Sequence, residues 1–111
     1  VERFGQLIKV KPEKLACYKE LHANCWPEVL RKIRECNIRN FSIFHRDGYL
    51  FSYFEYVGTD FEADMAAVAA DPETQRWWRE TDPCQEPLDP SVTSHYDGPW
   101  WSDMERVFHT D

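Results

Sequence analysis

Along residues 3–10, RFGQLIKV, apolar side chains fall at positions 4, 8 and 10, with Gln6 between them on the same face. That is the period-two pattern of a strand. The period then lengthens. Leu15, Tyr18, His22, Cys25, Trp26, Val29 and Ile33 recur at helical spacing through residues 11–37, with Lys and Glu between them. This predicts an amphipathic helix facing the strand layer, with Pro12 and the acidic Glu13 in its first turn. Pro27 falls inside that stretch, where it offers no N–H to the carbonyl of Ala23 and its ring clashes there. A kink or two abutting helices is therefore expected. RNFSIFHR (39–46) and YLFSYFEY (49–56) read as aromatic-rich strands, and Asp47-Gly48 between them is a hairpin signal. DFEADMAAVAAD (60–71) predicts a helix capped by Asp60. DPETQRWWRE (71–80) predicts another, with Asp71 as cap, Pro72 in the first turn and Glu73 near the positive end of the dipole. Residues 82–99 hold four of the seven prolines and read as a long structured loop, followed by MERVFHT (104–110) as a last short strand. The order is βαββαβ with the first helix divided and the second paired. It is the split pattern of a ferredoxin-like α+β fold, an antiparallel sheet with helices on one face.

Composition narrows the function. The 111 residues have the length of one domain, 1–111, with 42% hydrophobic and 15% aromatic residues, enough for a core and a pocket or interface. A formal charge of −7 argues against a nucleic-acid backbone or an anionic membrane surface as partner. It also outweighs the loose likeness of RDGYLFSYF (46–54) to an RNA-binding strand. No apolar run approaches the ~20 residues of a membrane-spanning helix and no signal peptide opens the chain. Cys17, Cys25, Cys36 and Cys84 show no C-x-x-C pair, so free thiols in a cytoplasmic protein are expected. His45, His95 and His109 have no metal-ligand spacing with them, and no phosphate loop, dinucleotide fingerprint or nucleophile elbow is present. Neither metal nor cofactor is expected. What remains is acid–base groups among aromatics.

Two constellations carry that chemistry. Tyr18, His22 and Trp26 stand four residues apart, each step rotating ~40° around a helix, so they share the inward stripe. They fit a plain aromatic core with a satisfied histidine, and they equally fit a pocket in which a half-buried imidazole passes a proton to a ligand. In QRWWRE (75–80) the adjacent indoles point ~100° apart, so only one faces the core squarely. The other covers a pocket mouth, where indole stacks on the C–H face of a sugar, or enters a dimer contact.

Taken in order, Tyr18-x3-His22-x3-Trp26-Pro27-Glu28, Asn40 to Ile43, Gln75 to Trp78 and the closing Val107-Phe108-His109 resemble the L-rhamnose mutarotase family, from Arg3 to His109. The resemblance implies a dimeric ferredoxin-like protein of the α/β-barrel type. It implies a cofactor-free isomerase that interconverts the α and β anomers of a 6-deoxy-L-hexose, L-rhamnose first and L-fucose as rival. His22 would be the proton-transferring group, with Tyr18 as hydrogen-bonding partner or second proton carrier. Trp77 and Trp78 would line the pocket. Phe41 stands where the family carries a tyrosine, so a hydrogen bond worth ~0.5–1.5 kcal/mol net is missing there. The loop to Met104, with Trp100 and Trp101, looks longer than in the shortest members. Two readings from other classes use the same cavity: a non-catalytic dimeric α+β protein binding a small apolar ligand, and a cofactor-free oxygenase of similar topology.

Overall fold

The computed structural model describes residues 1–111 throughout. The strand patterns become β1 (Glu2–Val10), β2 (Ile38–Arg46) and β3 (Tyr49–Tyr56), with two short strands, β4 (Gln85–Glu86) and β5 (Ser102–Met104). The sheet order is β2-β3-β1-β4, and β5 also pairs with β1. Every pairing is antiparallel; β4 lies against Lys9 and Val10, β5 against Gly5 to Leu7. Because β3 is antiparallel to both β1 and β2, those two strands are parallel and need a crossover. α1 (Leu15–Ala23) and α2 (Pro27–Glu35) supply it, running back along the sheet, and α3 (Phe61–Ala70) with α4 (Pro72–Thr81) connects β3 to β4. This is the ferredoxin-like α+β arrangement.

Pro27 divides the helix rather than kinking it. α1 ends at Ala23, and Trp26 is the extended N-cap of α2 with φ −67° and ψ 132°, so Pro27 sits at a first-turn position where no N–H is needed. Trp26 therefore leaves the stripe it would share with Tyr18 and His22 on a continuous helix. Asp60 and Asp71 cap α3 and α4 by accepting from Ala63 N–H and Thr74 N–H at 3.1 and 2.9 Å.

The register of β1 on β3 sets the two faces. Phe4 faces Phe54, Gln6 faces Ser52 and Ile8 faces Leu50 on the side under the helices. Ile8, Val10, Leu50, Tyr18, Cys84, Val92 and Trp100 form the buried core there. On the other face the cross-strand pair Phe44 and Phe51, with Tyr49, is left exposed. Residues 82–101 are the structured loop that the prolines suggest, and Val92 and Trp100 plug it into the core.

The C-terminal strand differs from expectation. It covers Ser102–Met104, and residues 105–111 are exposed and outside any strand. Apolar residues at 104, 107 and 108 do not alternate, so that segment has no single face to bury. Met104 instead pairs opposite Gly5, where a Cβ would meet the Met104 Cε only in ordinary van der Waals contact at 3.4 Å. β4, two residues long, is too short to leave any periodicity in the sequence.

Candidate functional site

Tyr18 is buried in the core, only 4% exposed. Its Oη accepts a hydrogen bond from Gln85 Nε2 at 3.0 Å, and Gln85 Oε1 accepts from Trp100 Nε1 at 2.9 Å. An indole N–H can only donate, so Trp100 dictates which end of the Gln85 amide faces Tyr18. The phenol oxygen is thereby used as an acceptor, and its own proton is left to donate. Burial pushes the Tyr18 hydroxyl far above its ordinary range, against the Gln85 hydrogen bond that lowers it. The raised pKa keeps the hydroxyl protonated, with its proton available for donation. Tyr18→Phe should strand the Gln85 amide and cost about 1–3 kcal/mol of stability. Urea unfolding measures it, and an unchanged midpoint would contradict the relay.

His22 packs against the Tyr18 ring with centroids 4.3 Å apart and the planes tilted by 36°. Its Nδ1 lies 2.9 Å from the carbonyl oxygen of Tyr18. A carbonyl only accepts, so the proton of the neutral ring resides on Nδ1 and Nε2 keeps its lone pair. Burial lowers the His22 pKa below the ordinary 6.5, opposed in part by that same backbone bond. At neutral pH the ring is therefore uncharged and Nε2 is basic.

The two indoles part company. Trp77, 6% exposed, meets His22 edge-on at 5.2 Å and Trp26 at 5.3 Å. Trp78 turns under the 82–101 loop and stacks face to face on His95 at 3.7 Å and 2°. His95 in turn donates Nε2–H to Asp82 at 2.8 Å and faces Trp100 at 5.1 Å on another side. The structure thus brings Trp77 together with His22 and Tyr18, and places Trp78 in a separate cluster that lines a surface cavity of about 330 Å³ with Gln75, Arg79 and Tyr96. Phe41 stands at a β-bulge, where the register shifts between Arg39 and Ser42 and Asn40 takes φ +52°. Its ring packs on Phe54 at 5.7 Å, and Phe54 and Phe61 stack on opposite pairings with Phe4 at 4.9 and 4.7 Å.

These clusters lie along one inner face. Tyr18 shares the buried core with Ile8 and Val10, and its partner Gln85 lies opposite Val10. Phe4, Phe41, Phe54 and Phe61 form an aromatic cluster. No group of three His, Cys, Asp or Glu side chains has metal-binding geometry. Gln85, His95 and Asp82 escape sequence reasoning. Gln85 sits on a two-residue strand with no periodicity, and the His95–Asp82 pair joins positions 13 apart across a loop.

A model of the L-rhamnose mutarotase family matches residues 3–110. The chain belongs to the L-rhamnose mutarotase family. Members of this family are isomerases. One relative, the L-rhamnose mutarotase of Oceanobacillus iheyensis, is 28% identical with both chains fully covered. The crystal structure of L-rhamnose mutarotase FA22100 from Formosa agariphila superposes with a TM-score of 0.76 at 21% identity, both chains fully covered. Tetracenomycin F2 cyclase from Streptomyces glaucescens shares the fold at TM-score 0.72 and 13% identity, covering all of this chain and 98% of the other. A type-II polyketide cyclase on the same scaffold shows that the fold alone does not set the chemistry, which lies in the side chains. No helix of this family member is long and apolar enough to cross a membrane.

Proposed function

We propose that this chain is a cofactor-free mutarotase that interconverts the α and β anomers of L-rhamnose, with His22 as the general acid–base. The observation that supports it is the His22 tautomer: Nδ1–H is committed to the Tyr18 carbonyl, and a basic Nε2 is left in a half-buried site between aromatics. Mutarotation needs one group to remove the proton of the anomeric hydroxyl while the ring oxygen gains one as the C1–O5 bond breaks. The open aldehyde rotates about C1–C2, and closure reverses both transfers, so atoms and protons balance without a second reactant. His22 Nε2 takes the anomeric proton and, as imidazolium, passes it to O5 as the C1–O5 bond breaks; on closure it takes the proton from the O5 hydroxyl and returns it to the anomeric oxygen. Tyr18 donates a hydrogen bond to a sugar oxygen. Trp77 and Phe41 cover the apolar face and the C6 methyl. Trp78 borders the site by way of the loop, since His95 covers one of its faces.

The exposed Phe44, Tyr49 and Phe51 on the outer face of the sheet support a homodimer through that face. Four free cysteines support a cytoplasmic setting. The catalysed exchange of L-rhamnose anomers should exceed that of L-fucose; equal or reversed rates would overturn the choice of sugar.

The pH dependence follows from the tautomer. The active ring is neutral, and its pKa lies below 6.5, so catalysis should be flat above neutrality and fall on the acid side with a midpoint under 6.5. Since the unfolded histidine binds protons more readily, the stability linked to His22 is full above 6.5 and is lost as pH falls through the folded pKa. A midpoint above 6.5 in the rate profile would contradict the neutral ring.

A further inference from the structure

We infer that Gln6 and Ser52 form a polar floor beneath His22 that binds hydroxyls of the sugar and so reads its configuration. The inference rests on the mutarotase reading of the site and names a part of it that the family motifs do not contain. The inner face of the sheet is apolar on both sides of this row, with the Phe4–Phe54 pair toward one end and Ile8–Leu50 toward the other. Between them Gln6 on β1 stands opposite Ser52 on β3 and opposite Asp103 on β5, three polar residues in line across three strands.

Two features of the row call for a ligand. Gln6 Nε2 donates to Asp103 Oδ1 at 2.9 Å, which pins the nitrogen end of the amide and leaves Oε1 as a free acceptor. Ser52 is 4% exposed, and its Oγ has no hydrogen-bond partner, the one buried side-chain polar atom so placed. An unpaired buried hydroxyl costs folding free energy that alanine would not. Its other cross-strand neighbour is Ile43, so an apolar residue would continue that surface without penalty. A sugar hydroxyl both donates and accepts, and it satisfies Oγ and Oε1 in ways that apolar ligands do not. Since α1 runs back over the sheet antiparallel to β1, going from Tyr18 to His22 leads from the Val10 end of β1 toward the Gln6 end, which brings a monosaccharide held on this row toward the imidazole.

Ser52→Ala and Gln6→Met separate a binding role from a packing role. Ser52→Ala should raise the melting temperature and yet raise the KM for L-rhamnose about three- to tenfold, the loss of one hydrogen bond, with kcat within about twofold. Gln6→Met should raise KM to a similar extent. Each penalty should vanish for the deoxy-L-rhamnose that lacks the hydroxyl in question. A higher melting temperature with unchanged KM would overturn the role of Ser52, and an unchanged KM in folded Gln6→Met that of Gln6. If Gln6→Met fails to fold, Ser52→Ala decides alone. Should these variants and the wild type all lack anomer exchange, the mutarotase reading falls and the floor with it; exchange in the wild type with KM unmoved in both variants overturns the floor alone.

Discussion

Replacing His22 by alanine should lower kcat for L-rhamnose anomer exchange by about 10²–10⁴-fold, the range supplied by a positioned acid–base group. Sugar affinity should change little, because the stacking surfaces and the Tyr18 hydroxyl remain. The fold should also persist: His22 is half-buried, and its one hydrogen bond goes to a carbonyl within its own helix. The acid limb of the rate profile should disappear with the side chain. Circular dichroism verifies the fold, and a folded variant with wild-type exchange would remove His22 from the mechanism.

The second large effect separates the adjacent tryptophans. Trp77→Ala empties a position that is 6% exposed and packed on both Trp26 and His22. Truncations of that kind cost about 3–5 kcal/mol, a large part of the ~5–15 kcal/mol that holds a typical domain together. Trp77→Ala should therefore unfold at far lower denaturant concentration, and its loss of activity should track its loss of fold. Trp77→Phe keeps the ring, and at full folding it should show a raised KM. Trp78→Ala instead frees His95 and the loop around it. Its stability should drop less, since the indole is half-buried, and its catalytic defect should be smaller than that of folded Trp77→Phe. Equal destabilisation by the two alanines would contradict the division of the indoles between two clusters.

Elements governed by neighbours in sequence are legible in the chain itself. A period-two run marks β1, aromatic-rich runs around Asp47-Gly48 mark β2 and β3, Asp60 and Asp71 mark helix starts, and Pro27 marks a break because a proline nitrogen cannot serve a helix interior. Whether that break would be a kink or a division was decided by Trp26, whose extended backbone carries no signature in the residue itself. The site was legible only in part. Tyr18 and His22 share a stripe at any helix geometry, whereas Gln6 reads only as one position of the β1 pattern. Which of Trp77 and Trp78 would face inward depends on how α4 rolls against α2, and that is a tertiary choice. The relay that orients Tyr18 joins it to a glutamine 67 residues away, a distance over which local pattern carries no information. The closing strand ends at Met104, opposite Gly5 of β1, and the residues beyond it carry no alternating apolar face to bury.

Saturation transfer between the α and β anomeric protons of L-rhamnose tests the central claim most directly, with the wild-type chain present at catalytic concentration near pH 7.5. Exchange should run well above the buffer rate and in proportion to protein concentration. Exchange at the buffer rate, with the protein shown to be folded in the same tube, would contradict it.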